Sequence, residues 1–235
     1  MVAIVTGAGL GLLKDSAAAL GAQGQLGTTT LGQAADKVTV NAANGNLVIQ
    51  SQDEMLIGVG LDDVVTNTYN SQGTFTSNGW QESFQRHVVL TGTIDTAGST
   101  ITHYAADGSA VVYTYNSSYS YNGSTGAYVG NELGGAYDTL SFNGSTNQWT
   151  WQDGKSRATE VYDNANSGRL IQSTDASGNS LTYTYTGSLL TKVTTANGDY
   201  TSFAYTASLL TSVVTSYTNA SGLQTETRVR YGYDS

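Results

Sequence analysis

The 235 residues include no cysteine and no proline, and 9 Lys+Arg stand against 18 Asp+Glu for a formal charge of −9. No disulfide framework, thiolate nucleophile or cysteine-ligated metal site can be built from them, and two histidines, His87 and His103, are too few for a three-histidine site. An acidic chain with scattered cations also lacks the basic stripe that displaces counterions from phosphates, which argues against a nucleic-acid partner.

From the N-terminus, Val2 to Leu13 is an apolar run with three glycines, short of the ~18 residues of a membrane span. No positive charge precedes it and no clear cleavage site follows, so it does not read as a signal peptide. Thr6, Gly7, Gly9 and Gly11 imitate a dinucleotide fingerprint, but Leu13 fills its last small position and no βαβ alternation follows. Residues 1–36 are therefore read as an apolar Gly/Ala-rich segment, the one place where helix is expected. Residues 37–95 read as lead-in strands. Their adjacent acids, Asp53-Glu54 and Asp62-Asp63, point to opposite strand faces and are expected to be solvated or to cap turns. His87 in RHVVL and His103 in ITHYA read as cross-strand packing residues. Further on, Gly154-Lys155-Ser156 ends like a phosphate loop, but Trp149 stands where its first glycine is needed. Asp163 to Gly168 lacks calcium ligands at Ala165 and Ser167, and Gly134 to Leu140 is a lone β-roll-like repeat. No catalytic, cofactor-binding or metal-binding residue is expected, and the chain does not read as an enzyme.

Residues 96–235 read as hairpins. Three successive units begin at Gly168, Ser188 and Ser208, with Leu170, Leu190 and Leu210 at a spacing of 20. Gly178 is followed by Tyr183 and Tyr185, Gly198 by Phe203 and Tyr205, and upstream Gly108 by Tyr113 and Tyr115, all at offsets of five and seven. The third unit stretches the hairpin, from Gly222 to Tyr231 and Tyr233. Each unit is a strand, a turn in which glycine tolerates positive φ, and a returning strand. Alternation in LTYTYT puts Tyr183 and Tyr185 on the packing face and the threonines on the other. A lone hairpin is marginal, so neighbouring hairpins must pair into one antiparallel sheet.

These residues resemble the Rhs/YD-repeat family, named for a Tyr-Asp pair followed by Gly-Arg-Leu. The pair stands at Tyr162-Asp163 and the triplet at Gly168-Arg169-Leu170, two residues further apart than usual. Tyr185 and Tyr205 keep the tyrosine with Leu190 and Leu210, and Tyr233-Asp234 restores the pair. VNAANGNLVIQSQDEML from Val40 and GVGLDDVVTNTYNSQG from Gly58 resemble the family's lead-in, although Val59 and Asn67 replace common arginines.

The resemblance implies an all-β fold, part of an open, spiralling β-shell that is scaffold and not catalyst. Such shells enclose or present a downstream effector, commonly a toxin, of the same polypeptide in bacterial secreted or surface proteins. Their self-cleaving segment carries prolines and this chain has none, so the expectation is an N-terminal piece of a shell, without the effector. An alternative is an adhesin-like carbohydrate-binding module whose exposed aromatics, in GlnTrpThrTrpGln and SerTyrSerTyr, stack on glycans. Because Tyr233-Asp234-Ser235 reads as the opening of another unit, the preceding strand is expected to be an open sheet edge through which the chain self-associates.

Overall fold

A computed structural model describes residues 3–5, 29–31, 36–41, 45–73, 79–106, 108–121, 124–130 and 138–233. Described residues outside the strands form turns, bends and one 3-10 turn, Asn164–Asn166. Abundant Thr, Tyr and Val with period-2 burial explain this, since such side chains fit a pleated, half-buried surface.

The strands form two sheets. A six-stranded sheet contains β1 (Ala3–Val5), β2 (Thr29–Leu31), β3 (Asp36–Asn41), β4 (Leu47–Leu56), β5 (Asp63–Asn70) and β6 (Trp80–Glu82). Within the N-terminal segment, where helix is expected, Ala3–Val5 is instead a strand paired parallel with β3, and Thr29–Leu31 pairs with β3 antiparallel. β-branched Ile4 and Val5 favour extended backbone, and the free edge of β3 supplies the hydrogen bonds. The helix expected elsewhere in 6–28 lies outside the described residues.

The second sheet has thirteen strands: β7 (His87–Thr91), β8 (Thr100–Tyr104), β9 (Ala110–Tyr121), β10 (Ser124–Gly130), β11 (Thr139–Asn143), β12 (Gln148–Gln152), β13 (Thr159–Asp163), β14 (Arg169–Thr174), β15 (Ser180–Thr186), β16 (Leu189–Thr194), β17 (Tyr200–Thr206), β18 (Leu209–Asn219) and β19 (Gly222–Arg230). The change of sheet falls between Glu82 and His87, so His87–Thr91, counted with the lead-in strands above, belongs to the large sheet.

This sheet is not simply open, as expected, because it closes on itself at β14. One edge of β14 pairs with β13. The other is shared: Arg169 bridges to His87 of β7, while Gln172 to Thr174 pair with β15. Strands β7 to β14 therefore form a ring, and β15 to β19 continue outward from the same strand. Closure removes the edge that β7 would expose at the end of an open sheet.

The hairpin turns repeat as their spacing suggests. In Asp175–Asn179, Thr195–Asp199 and Ala105–Ser109 the N–H of the glycine donates to the carbonyl of the first residue, at 3.1, 3.0 and 3.1 Å. The first N–H donates to the fifth carbonyl at 2.9 Å in each. Gly178 and Gly198 take φ of +89° and +91°, which a side chain would disfavour. One core joins both sheets, from Val65 of β5 through Ile101, Tyr113, Leu140, Trp149 and Tyr162 to Leu190 and Val213.

Candidate functional site

The motif residues lie where consecutive hairpins meet. Tyr162 is the cross-strand partner of Leu170, Tyr185 of Leu190 and Tyr205 of Leu210, each just after a break in register that re-aims the tyrosine. The Tyr185 hydroxyl also donates to the Leu170 carbonyl at 2.7 Å, and Tyr233 in the stretched unit donates to Leu210 at 2.8 Å. Leucine spacing thus reflects a lattice in which Tyr185 bonds the leucine of its own unit and stands opposite that of the next. Leu170, Leu190 and Leu210 are all buried. Tyr183 and Phe203 are buried and Tyr185 and Tyr205 half-buried, whereas Thr182, Thr184 and Thr186 are exposed, matching the faces read from alternation.

Asp163 and Gly168-Arg169 shape the first turn and the closure. Asp163 Oδ1 accepts from the N–H of Ala165 at 3.0 Å and caps Asn164–Asn166. Gly168, at φ +65°, accepts from the N–H of Val88 at 2.9 Å, and Leu170 donates to Arg86 at 3.2 Å, which seats β7 on β14. A Cβ on Gly168 would come within 2.0 Å of the Val88 carbonyl oxygen, so only glycine allows that approach. The Arg169 guanidinium lies 4.2 Å over the Tyr185 ring and donates to the Gly187 carbonyl at 2.6 Å. Asp234 lies outside the described residues.

Beneath the closure is a charged network that the motifs do not announce. Arg86 pairs with Glu160 and donates to the Tyr183 hydroxyl at 2.9 Å. His103 Nε2 lies 2.7 Å from the Tyr162 hydroxyl and 3.2 Å from Glu160 Oε2, while the same hydroxyl donates to that oxygen. The His103 ring stacks on Trp151 at 4.9 Å, and the indole N–H donates to Tyr113 at 3.0 Å. Burial alone would raise the Glu160 carboxyl, but Arg86, helped by His103 and Tyr162, holds it at about 2. Burial and then Glu160 push the Tyr162 phenol well above its ordinary range. His103 thus packs, as expected, but it also belongs to this network; His87 stacks on Tyr104 at 4.4 Å.

The lead-in acids differ from their expected solvated or capping roles. Glu54 and Asp63 are buried, and only Asp62 caps, accepting from Gly58 N–H at 3.0 Å. A register break around Asp53 re-aims that pair, sending Asp53 to Asn67 and Tyr231 and Glu54 to Thr215 and Arg228. Two cavities flank Arg86. One, of about 330 Å³, separates the sheets and is bordered by Asp63, Trp151, Glu160 and Tyr183. The other, of about 600 Å³, lies against the hairpin tips and is bordered by Glu82, Arg169, Tyr185, Tyr205 and Tyr233. Trp149 is 1% exposed and Trp151 half-buried, so GlnTrpThrTrpGln is not the exposed aromatic pair expected of a sugar platform. No group of three or more His, Asp or Glu side chains suited to a metal occurs among the described residues.

One signal could have located the network. Tyr162 must face the core for its motif to work, and in TEVYD Glu160 lies two residues earlier on the same face. Nothing local identifies Arg86, which lies 74 residues from its carboxylate.

Residues 162–199 match the model of a known family described as RHS Repeat. The matched stretch runs from Tyr162 through the first hairpin to the turn of the second. No curated protein matches the chain.

Proposed function

We propose, because residues 162–199 match the RHS Repeat family and the hairpins that follow continue the same pattern, that this chain is a segment of an Rhs/YD-repeat shell wall enclosing or presenting an effector domain of the same polypeptide. The observation that carries this reading is the shared edge of β14, from which a closed ring gives way to a row of similar hairpins. Such a row lengthens by adding units, each burying the edge of the last, as an enclosing wall requires. On this reading the Arg86–Glu160 network is architecture and the chain is not an enzyme. The surrounding polypeptide is secreted or displayed at a bacterial surface; among the described residues no helix is long and apolar enough to cross a membrane.

The test is protease protection of the polypeptide encoded by the uninterrupted reading frame. An unrelated C-terminal domain that resists protease within the intact protein, and is digested once separated from the repeats, is the expected result. A frame holding no such domain, or one digested equally in both forms, would overturn the proposal.

A glycan-binding role is a second reading. The buried tryptophan of β12 weakens it, while the cavity bordered by Tyr185, Tyr205 and Tyr233 supports it. Selective retention on a glycan array that Tyr205→Ala abolishes would favour it; no retention would dismiss it.

A further inference from the structure

Where the two sheets meet, buried acids outnumber their cationic partners. Glu54 of β4 accepts from Thr215 Oγ1 at 3.0 Å and pairs with Arg228 Nε at 3.2 Å. Asp63, the first residue of β5, is 4% exposed, and its Oδ2 is buried with no hydrogen-bond partner. Beside it Thr201 of β17 is wholly buried, and its Oγ1 also has none. Thr201 and Thr215 are cross-strand partners. Two buried carboxyls therefore meet one threonine pair: Glu54 is bonded to Thr215, and Thr201 stands beside Asp63.

We propose that Asp63 is a proton-operated clasp between the small sheet and the repeat sheet. When neutral, its carboxyl is tolerated in the apolar contact, and β5 stays seated against β17. When ionised, it is a buried charge without a counterion of its own, and the same contact weakens. The charged and titratable groups acting on it are Glu54 on β4, Arg86 before β7 and Tyr183 on β15. Arg86 is committed to Glu160, so it cannot fully compensate Asp63.

Burial raises the Asp63 carboxyl to about 6; the Thr201 hydroxyl opposes the rise, Glu54 adds to it and Arg86 subtracts. A raised carboxyl stabilises the fold in its protonated form. The clasp is therefore fully closed below the ordinary value of 3.8 and loses its hold as the pH rises through about 6. That interval corresponds to roughly 100-fold stronger proton binding in the docked state than in the released one. The inference does not depend on the shell-wall reading, because it concerns only how the two sheets adhere.

The experiment follows the carbon-13 shift of the Asp63 carboxyl, and amide hydrogen exchange in β4 and β5, from pH 3 to pH 8 in the 235-residue chain. A midpoint near 6 is expected, with protection in β4 and β5 falling by up to about 100-fold after correction for intrinsic exchange. Asp63→Asn should keep that protection nearly constant across the range. A midpoint near 4, or the same loss of protection in the variant, overturns the clasp. Restoration of protection at pH 8 by calcium chloride or sodium chloride also overturns it, in favour of a cation site. The wild-type midpoint decides the matter by itself if Asp63→Asn does not fold.

Discussion

The hydroxyl of Tyr185 reaches past its own strand to the Leu170 carbonyl, 2.7 Å away, and the ring supports Arg169. Phenylalanine there keeps the ring and loses the bond, so Tyr185→Phe should cost about 1 kcal/mol in urea unfolding. Alanine removes both, and Tyr185→Ala should cost clearly more than Thr184→Ala on the exposed face; equal losses would contradict the faces seen here. The turn joining β17 to β18 offers the opposite case. Ala207 and Ser208 take φ of +49° and +69° between the paired residues Thr206 and Leu209, a two-residue turn that favours Asn-Gly. Left-handed backbone costs an ordinary residue about 1–2 kcal/mol. Replacing Ala207-Ser208 by Asn-Gly should therefore raise stability by about 1–2 kcal/mol, and an unchanged or lower urea midpoint would count against this reading of the turn.

At the scale of elements, β7, β8, β13 and β15 converge on Arg86, His103, Glu160 and Tyr183. Removing one member of a buried ion pair leaves the other charged and uncompensated, so Arg86→Met should cost about 3–5 kcal/mol. Glu160→Gln added to that variant should recover part of the loss. The pH dependence has two limbs of opposite sign. Glu160 is depressed from 4.5 to about 2, so its contribution is present above 4.5 and disappears as the pH falls toward 2. Asp63 is raised, so its contribution disappears as the pH rises through about 6. Together they predict greatest stability between roughly pH 4 and 5, with Asp63→Asn flattening only the upper limb. Melting temperatures from pH 2 to 8 would check this. Legibility in the sequence follows the range of the interaction. Turns and faces from Gly168 to Asn219 were readable because each depends on neighbours within one 20-residue unit. Arg86–Glu160 and the burial of Asp63 were not, because what makes them buried charges is a second element brought in from far along the chain.

In the large sheet the ring has no end strand, but the row of hairpins that leaves it ends in an edge at β19. That strand pairs with β18 on one side and has no strand partner on the other among the described residues, with Leu223 61% exposed on it. We propose that two copies join through this edge, since unpaired backbone groups recruit strands; Arg228, Arg230 and Glu226 moderate the tendency. Sedimentation at about 100 µM should show a dimer or larger species, and a clean monomer would refute it. The row of hairpins was legible, but the closure of the ring was not, because Arg169 meets His87 across most of the large sheet. That junction has a consequence in time. Each other neighbour in the ring is joined by a local connection, whereas β7 must wait for β14, and contacts of long sequence separation form only after the entropy of closing the intervening chain has been overcome. The seam at Gly168 and Val88 should thus be the last part of the ring to form and the first to part. A mild disturbance there, such as Val88→Ala, should accelerate unfolding while leaving the refolding rate nearly unchanged.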